Sequence, residues 1–253
     1  MHTPLLPGAV GLTHLRVYDS ASPDGLRGGS PHMHFACTEC YFVEQGRGRV
    51  QTLSVEGYHE FELEPGRVVW FSPGVIHRLV NDDKLEILVV MQNGGLPESG
   101  DFVLTMPQKV LCDPQRYFEL ASLSAGGEVF AGGVDAAYRR RDVSVEGFGE
   151  LRHRVDSEGL GTLRDFYDAA LNLVESKLSA WEELWKKGPL AAATATGEQL
   201  TALRAGDTTH LLESAARAMA PQSDLKLGMC GRLGTYLPEG VLLTVPAPLV
   251  QPR

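Results

Sequence analysis

The property that most constrains this sequence is a change of hydrophobic period near residue 107. Before it, short apolar runs at 15–18, 41–43, 50–55, 61–63, 68–71, 79–80 and 85–91 are broken by Gly46-Arg47-Gly48, Glu56-Gly57, Pro65-Gly66, Pro73-Gly74 and Asn81-Asp82-Asp83. Glycine supplies positive φ, proline presets φ, and Asn or Asp bonds its own backbone, so each cluster turns or bends an extended chain. Strands at this spacing predict an all-β sandwich or barrel, and the runs flanking Glu56-Gly57 predict a hairpin. After residue 107 the period is helical. Asp113-Pro114 has the order of an N-cap followed by the first helical residue. From Thr162, a second potential cap, apolar residues from Leu163 through Phe166, Ala170, Val174, Leu178 and Trp181 to Trp185 keep the three-and-four spacing of one buried stripe. Gly188-Pro189 is a stop signal, and Asp207 can cap a further helix ending before Pro221.

The expected fold is therefore a mainly β barrel followed by a mostly helical C-terminal region, α+β overall. The barrel is assigned to residues 10–106. Residues 107–222 form a helical region that covers the barrel or builds a dimer interface, and residues 223–253 an extended tail on the barrel or a partner subunit. Hydrophobic residues at 43% and charged residues at 22% are ordinary globular usage, which argues against wholesale disorder. The net charge of −9 repels phosphate backbones, so nucleic acid is not expected as a partner. No uninterrupted apolar stretch is long enough to span a membrane, and the first residues lack the basic and apolar regions of a signal peptide. Four scattered cysteines suit a reducing cytoplasm. Cys37 and Cys40 form a single CxxC, read as two thiols at a strand end in preference to a redox pair or half a zinc site.

The chemistry lies in two segments. In GSPHMHFACTECYFVEQG, His32 and His34 are two apart and share one face of a strand. Glu39 follows His34 at an odd offset, so a bulge or short loop through 35–38 is needed to return it to that face. In GRVVWFSPGVIHRLVN, Pro73-Gly74 makes a turn and His77 opens the next strand. Neighbouring strands lie about 4.8 Å apart, so inward side chains of adjacent strands can converge on one ion. Three imidazoles and a carboxylate suit one divalent transition metal, with positions left open for substrate. Iron(II) is favoured, and manganese, nickel, cobalt or zinc would also suit.

The spacing of these residues resembles the paired motif of the cupin superfamily: HxH, Glu39 after four residues, Gly46 after six more, then Gly66, Gly74, His77 and Asn81. Two positions depart from it. Pro73 adjoins Gly74 directly, and Leu26 stands where the family's first glycine is expected, with Gly25, Gly28 and Gly29 around it. The resemblance implies an antiparallel barrel of the jelly-roll, or double-stranded β-helix, type with a metal in its mouth. It does not fix the reaction. Cupins with the complete ligand set resemble dioxygenases, oxalate-type decarboxylases and some isomerases. The leading expectation is a metal-dependent enzyme of dioxygenase type acting on a small oxygenated molecule. The alternatives are a metal-assisted isomerase or epimerase of a sugar or sugar acid, and a ligand-sensing transcriptional regulator. The sixteen Lys and Arg against nineteen Asp and Glu in residues 107–253 argue against a DNA reader.

Tyr41 shares parity with Glu39 and is the candidate catalytic residue, as a proton donor or substrate contact beside the metal. Gln51 and Trp70 are weighed as pocket residues. His59 and Glu60 are read as solvated, His153 and His210 as structural or exposed, and Arg139-Arg140-Arg141 as a solvated helix face. A homodimer is expected, because many cupins are dimers and the helical stripe must be buried somewhere.

Overall fold

The computed structural model describes residues 6–123 and 133–236. Strand β1 (Gly11–Val17) is followed by β2 (His32–Met33), β3 (Glu39–Ser54), β4 (Gly57–Leu63), β5 (Val68–Phe71), β6 (Ile76–Met91) and β7 (Val103–Leu104). Helices α1 (Gln108–Leu111), α2 (Pro114–Ala121), α3 (Gly133–Glu158), α4 (Gly161–Val174), α5 (Leu178–Trp185) and α6 (Ala191–Arg204) come next, then β8 (Lys226–Leu227) and β9 (Gly231–Thr235). All strand pairs are antiparallel.

The two long strands build the barrel. The first half of β3 lies between β5 and the second half of β6, which in turn pairs β1, and β1 pairs β9. The second half of β3 lies between β4 and the first half of β6, which pairs β2, and β2 pairs β7. Each long strand thus passes from a front sheet to a back sheet, the geometry of a jelly roll. The crossing falls at Gly46-Arg47-Gly48 and Asn81-Asp82-Asp83, where the register shifts. These segments, expected as turns between strands, are corners within strands. Gly46 has φ +77°, and a Cβ there would lie 2.2 Å from the Lys84 carbonyl oxygen. Asn81 closes the corner, its amide donating to Val17 O at 3.1 Å and its carbonyl accepting from Leu85 N at 3.0 Å. The expected hairpin forms, with Ser54 opposite Gly57.

Helices α3, α4 and α5 pack into the core on the back-sheet side. Leu53 and Ile76, which alternate with inward residues, are fully buried in one cluster with Phe148, Leu151, Phe166 and Trp181. The front sheet's outer face carries no such cover among the described residues. There Leu12, Val90, Cys40 and Trp70 form one row, and His14, Leu88, Phe42 and Val68 the next. Trp70 is 69% exposed.

Several helical expectations are corrected. Asp113 caps α2 as expected, accepting from Arg116 N at 3.0 Å. Thr162 caps nothing, because α4 already begins at Gly161, and its hydroxyl donates to Gly159 O. The stripe is split by a 3-10 turn at Glu175–Lys177, after which Leu178 and Trp185 are exposed while Trp181 stays buried. Gly188-Pro189 does not stop the chain, which continues through a π turn, Lys186–Leu190, into α6. Asp207 begins only the 3-10 turn Thr209–Glu213. Arg139 is solvated, but Arg140 and Arg141 are buried, tying α3 to Gly228 O (2.7 Å) and Ser20 O (2.8 Å). The extended tail expected over 223–253 is met in β8 and β9, and its part beyond Tyr236 lies outside the described residues.

Beside His77, Arg78 points outward, is 1% exposed, and is held by Ser22 Oγ at 2.8 Å and the Asp24 carboxylate. Burial pushes the Asp24 carboxyl up, but the hydrogen bond and charge of Arg78 outweigh it and hold the group below its ordinary 3.8. A carboxyl depressed on folding contributes stability that is present above its unfolded pKa and lost as pH falls through the folded value. Asp24→Asn should therefore lower the unfolding midpoint at neutral pH, and the gap to the parent should close as pH falls below about 4. A gap independent of pH in thermal scans would refute the pairing.

Candidate metal centre

His32 on β2, His77 on β6 and Thr52 on β3 stand directly opposite one another across the back sheet, so all three point inward. Met33, between the histidines, points the other way and is 1% exposed. His34 follows β2, its carbonyl accepting from Gly74 N at 2.9 Å. Residues 35–38 form the expected short loop, whose Phe35 and Ala36 amides donate to the buried Asp101 carboxylate at 2.8 and 3.2 Å. Glu39 then enters the front sheet facing inward between Phe71 and Met91.

One donor atom from each of His32, His34, Glu39 and His77 lies within 4.8 Å of all the others. His77 Nε2 is 3.2 Å from His32 Nε2 and 3.0 Å from Glu39 Oε2, and His34 Nε2 is 3.4 Å from the same oxygen. All four residues are buried. Each imidazole is oriented from behind: Nδ1 of His32 lies 2.9 Å from Ser30 O, Nδ1 of His77 3.1 Å from Val75 O, and Nδ1 of His34 against Asp101 O. A carbonyl only accepts, so each Nδ1 carries the proton and a neutral ring presents a bare Nε2 lone pair inward.

The electrostatics follow. Burial and the neighbouring His77 and His34 hold His32 well below its ordinary value. Burial pushes the Glu39 carboxyl up, but His77 and His34 outweigh it and hold it well below the usual range, so it is an anion. Burial lowers His34, but Glu39 outweighs this and raises it. Glu39 Oε2 is buried without a well-formed hydrogen bond. Three lone pairs and an anionic oxygen, buried and facing each other, repel unless a cation lies between them. This donor set fits a divalent transition metal and could hold one.

Tyr41 is fully buried and points inward, its ring 5.3 Å from Phe71 and 6.4 Å from His77. Its hydroxyl has no well-formed hydrogen bond. Burial, and then the Glu39 charge, push its pKa well above the ordinary phenol value. Gln51 and Trp70 do not line the interior. Gln51 donates outward to Glu60 at 3.1 Å, and Trp70 lies on the outer face. His59 and Glu60 are exposed, the latter accepting from Arg49 at 3.2 Å. His153 is exposed and His210 half-buried, both remote in sequence from the four donors. Cys37 is buried and Cys40 half-buried on the outer face, and all four cysteines are free.

Sequence reasoning missed Thr52 and Asp101. Strand parity could have found Thr52 only if the register shift at the corner had been known. Asp101 orients His34 through a backbone carbonyl, which has no signature in the sequence.

Fold and site together define a jelly-roll barrel with a three-histidine, one-carboxylate centre in its interior. Residues 22–91 match the family described as Cupin domain, and the protein carries a cupin domain there. The match contains all four donors. No curated protein matches the chain. Similar solved structures include a cupin protein from Bacteroides fragilis, 20% identical, covering 33% of this chain and 63% of its own, with TM-score 0.25. This chain thus spans less than two thirds of that protein. An uncharacterized conserved protein with a double-stranded β-helix domain from Klebsiella pneumoniae is 18% identical, covering 37% and 70%, with TM-score 0.27. A TDP-fucose-3,4-ketoisomerase from Campylobacter jejuni is 8% identical, covering 36% and 64%, with TM-score 0.30. No helix among the described residues is long and apolar enough to cross a membrane.

Proposed function

We propose that this protein is a metal-dependent enzyme acting on a small oxygenated organic molecule, with oxygen-dependent oxidation or cleavage of the dioxygenase type as its reaction. One observation carries the reading: three imidazoles, each turned by a backbone carbonyl, aim Nε2 at a carboxylate oxygen that lacks a donor. His32, His34, Glu39 and His77 would hold one divalent transition metal, with iron(II) favoured. When bound, such an ion supplies Lewis acidity and, as iron, redox chemistry with dioxygen. The rest falls to the chain. The carbonyls of Ser30, Val75 and Asp101 fix the rings, Glu39 supplies the negative charge, and the buried walls exclude water. Tyr41 keeps its proton, so its hydroxyl can donate to a substrate oxygen beside Glu39.

The same facts favour this reaction over isomerisation or epimerisation, which needs a general base beside the metal. Tyr41 is a poor base when its pKa is raised. His59 is exposed at the hairpin, its Nε2 3.1 Å from Glu56 O.

Protein purified without added metal should carry about one equivalent of a transition ion and consume oxygen with a member of a panel of phenols, diols and hydroxy acids. Folded protein that takes up no ion, or turnover that proceeds unchanged without oxygen, overturns the reading. Tyr41→Phe should retain the ion while kcat falls roughly 100-fold. Steady-state kinetics with metal analysis checks this, and an unchanged kcat would reduce Tyr41 to a core residue.

A further inference from the structure

The four donors depend on a stretch of chain that cannot be strand. His34 has left β2, and Glu39 must return to the same face after an odd interval, so residues 35–38 break the pairing. Their amides need acceptors elsewhere. One side chain serves two of them. Asp101 is fully buried, its Oδ1 accepting from Phe35 N at 2.8 Å and from Ala36 N at 3.2 Å. Successive amides converging on a carboxylate form an anion-binding concavity, and the charge strengthens both bonds. The carbonyl of the same residue faces Nδ1 of His34. Asp101 therefore grips the chain at His34 and at residues 35–36 together. From the other side, Asn93 Nδ2 donates to Ala36 O at 2.8 Å and Gln92 N to Thr38 O at 2.9 Å, which closes the turn before Glu39.

Asp101 is itself held from the helical region. Trp181 of α5 donates from Nε1 to Ser99 O at 3.1 Å, and its ring lies 6.1 Å from that of Phe35. Gly100, at φ +84°, leaves room for Lys177, since a Cβ there would stand 2.6 Å from Nζ. Lys177 is half-buried. Burial lowers the pKa of its ammonium, and the Asp101 charge opposes that shift. The buried anion and the half-buried cation thus attract each other across the boundary between barrel and helices. We infer that Asp101 is a positioning residue of the metal centre. Its carboxylate sets the turn that brings Glu39 onto the face of His34, its carbonyl sets the His34 ring, and Trp181 and Lys177 hold it in place. All three residues lie beyond the matched positions 22–91, so the centre is larger than the cupin domain. The inference rests on the four donors taking up an ion, and on no particular reaction.

Titration of the full-length chain with cobalt(II) reads the centre without turnover, because the visible bands of the ion depend on its donors and their geometry. Asp101→Ala and Asp101→Asn both keep the carbonyl behind His34, but only asparagine keeps an acceptor where Oδ1 stands. Asp101→Ala should lose roughly 10–100-fold in cobalt affinity, with its bands shifted. Asp101→Asn should stay within roughly threefold of the parent and keep the parent's bands. In metal-free protein the amides of Phe35 and Ala36 should exchange roughly tenfold faster in Asp101→Ala alone. If the parent and Asp101→Ala bind cobalt alike, with one spectrum, the inference falls and the centre stands. A parent that takes up no cobalt overturns both. Equal losses in the two variants, with exchange at Phe35 and Ala36 unchanged, also overturn the inference. Should Asp101→Ala not fold, the metal-free parent decides, since free-peptide exchange rates at Phe35 and Ala36 would mean that the carboxylate does not hold the loop.

Discussion

Exchanging His77 for alanine should leave a folded barrel that no longer retains a metal, with affinity lower by at least roughly 100-fold. His77 has this weight because its Nε2 is the donor that stands close to both His32 (3.2 Å) and Glu39 (3.0 Å). Removing it opens the ring of donors and relieves the crowding of lone pairs that a bound ion would otherwise offset. The parent and the variant should then part company in the presence of a chelator. An ion at about 1,000 times its Kd stabilises the folded state by about 4 kcal/mol. For a chain of this size that corresponds to a melting temperature higher by about 10 °C. Chelation should remove this increment from the parent and leave the His77→Ala melting curve unmoved. A variant that melts as the parent does, and responds equally to the chelator, would place the ion elsewhere.

What the sequence disclosed about this centre, and what it withheld, has a common physical cause. The four donors were legible because their spacing follows from local geometry. Two residues of a strand separated by one share a face, and a carboxylate five positions later needs a short loop, which residues 35–38 provide. Tyr41 was legible as an inward residue by the same parity, and its environment by nothing in the sequence. Thr52, Gln51 and Trp70 were not legible, because their direction depends on an accumulated count. Inward positions on β3 are Glu39, Tyr41 and Val43 before the corner, and Val50 and Thr52 after it. A register shift between them reverses odd and even, and no residue type announces how many positions are skipped. The helices show the complementary failure. Apolar spacing predicted one continuous stripe, but a 3-10 turn of three residues rotates the following face, so Val174 before it is buried and Leu178 after it is not. Arg140 and Arg141 were misjudged because charge alone argues for solvent, whereas here backbone carbonyls accept their hydrogen bonds.

The corner itself yields the second large effect. Gly46→Ala should destabilise the protein by roughly 3 kcal/mol or more, a fall of about 10 °C in melting temperature. Two terms add. Alanine at φ +77° carries a backbone strain of about 1–2 kcal/mol. In addition, its Cβ would stand 2.2 Å from Lys84 O and 2.4 Å from Asp83 O, both backbone atoms that cannot rotate aside. Gly57 separates the terms, since it sits at φ +94° with nothing within 4 Å of an added Cβ. Gly57→Ala should therefore show the strain alone, about 1–2 kcal/mol. Equal losses for the two variants in thermal unfolding would mean that the corner opens freely, and that the approach of β3 to β6 there is not required. If the approach is required, the damage extends to chemistry. The corner sets the phase between the half of β3 that carries Glu39 and the half that lies opposite His77. Gly46→Ala should then weaken metal retention as well as stability, whereas Gly57→Ala, out at the hairpin, should leave the metal content unchanged.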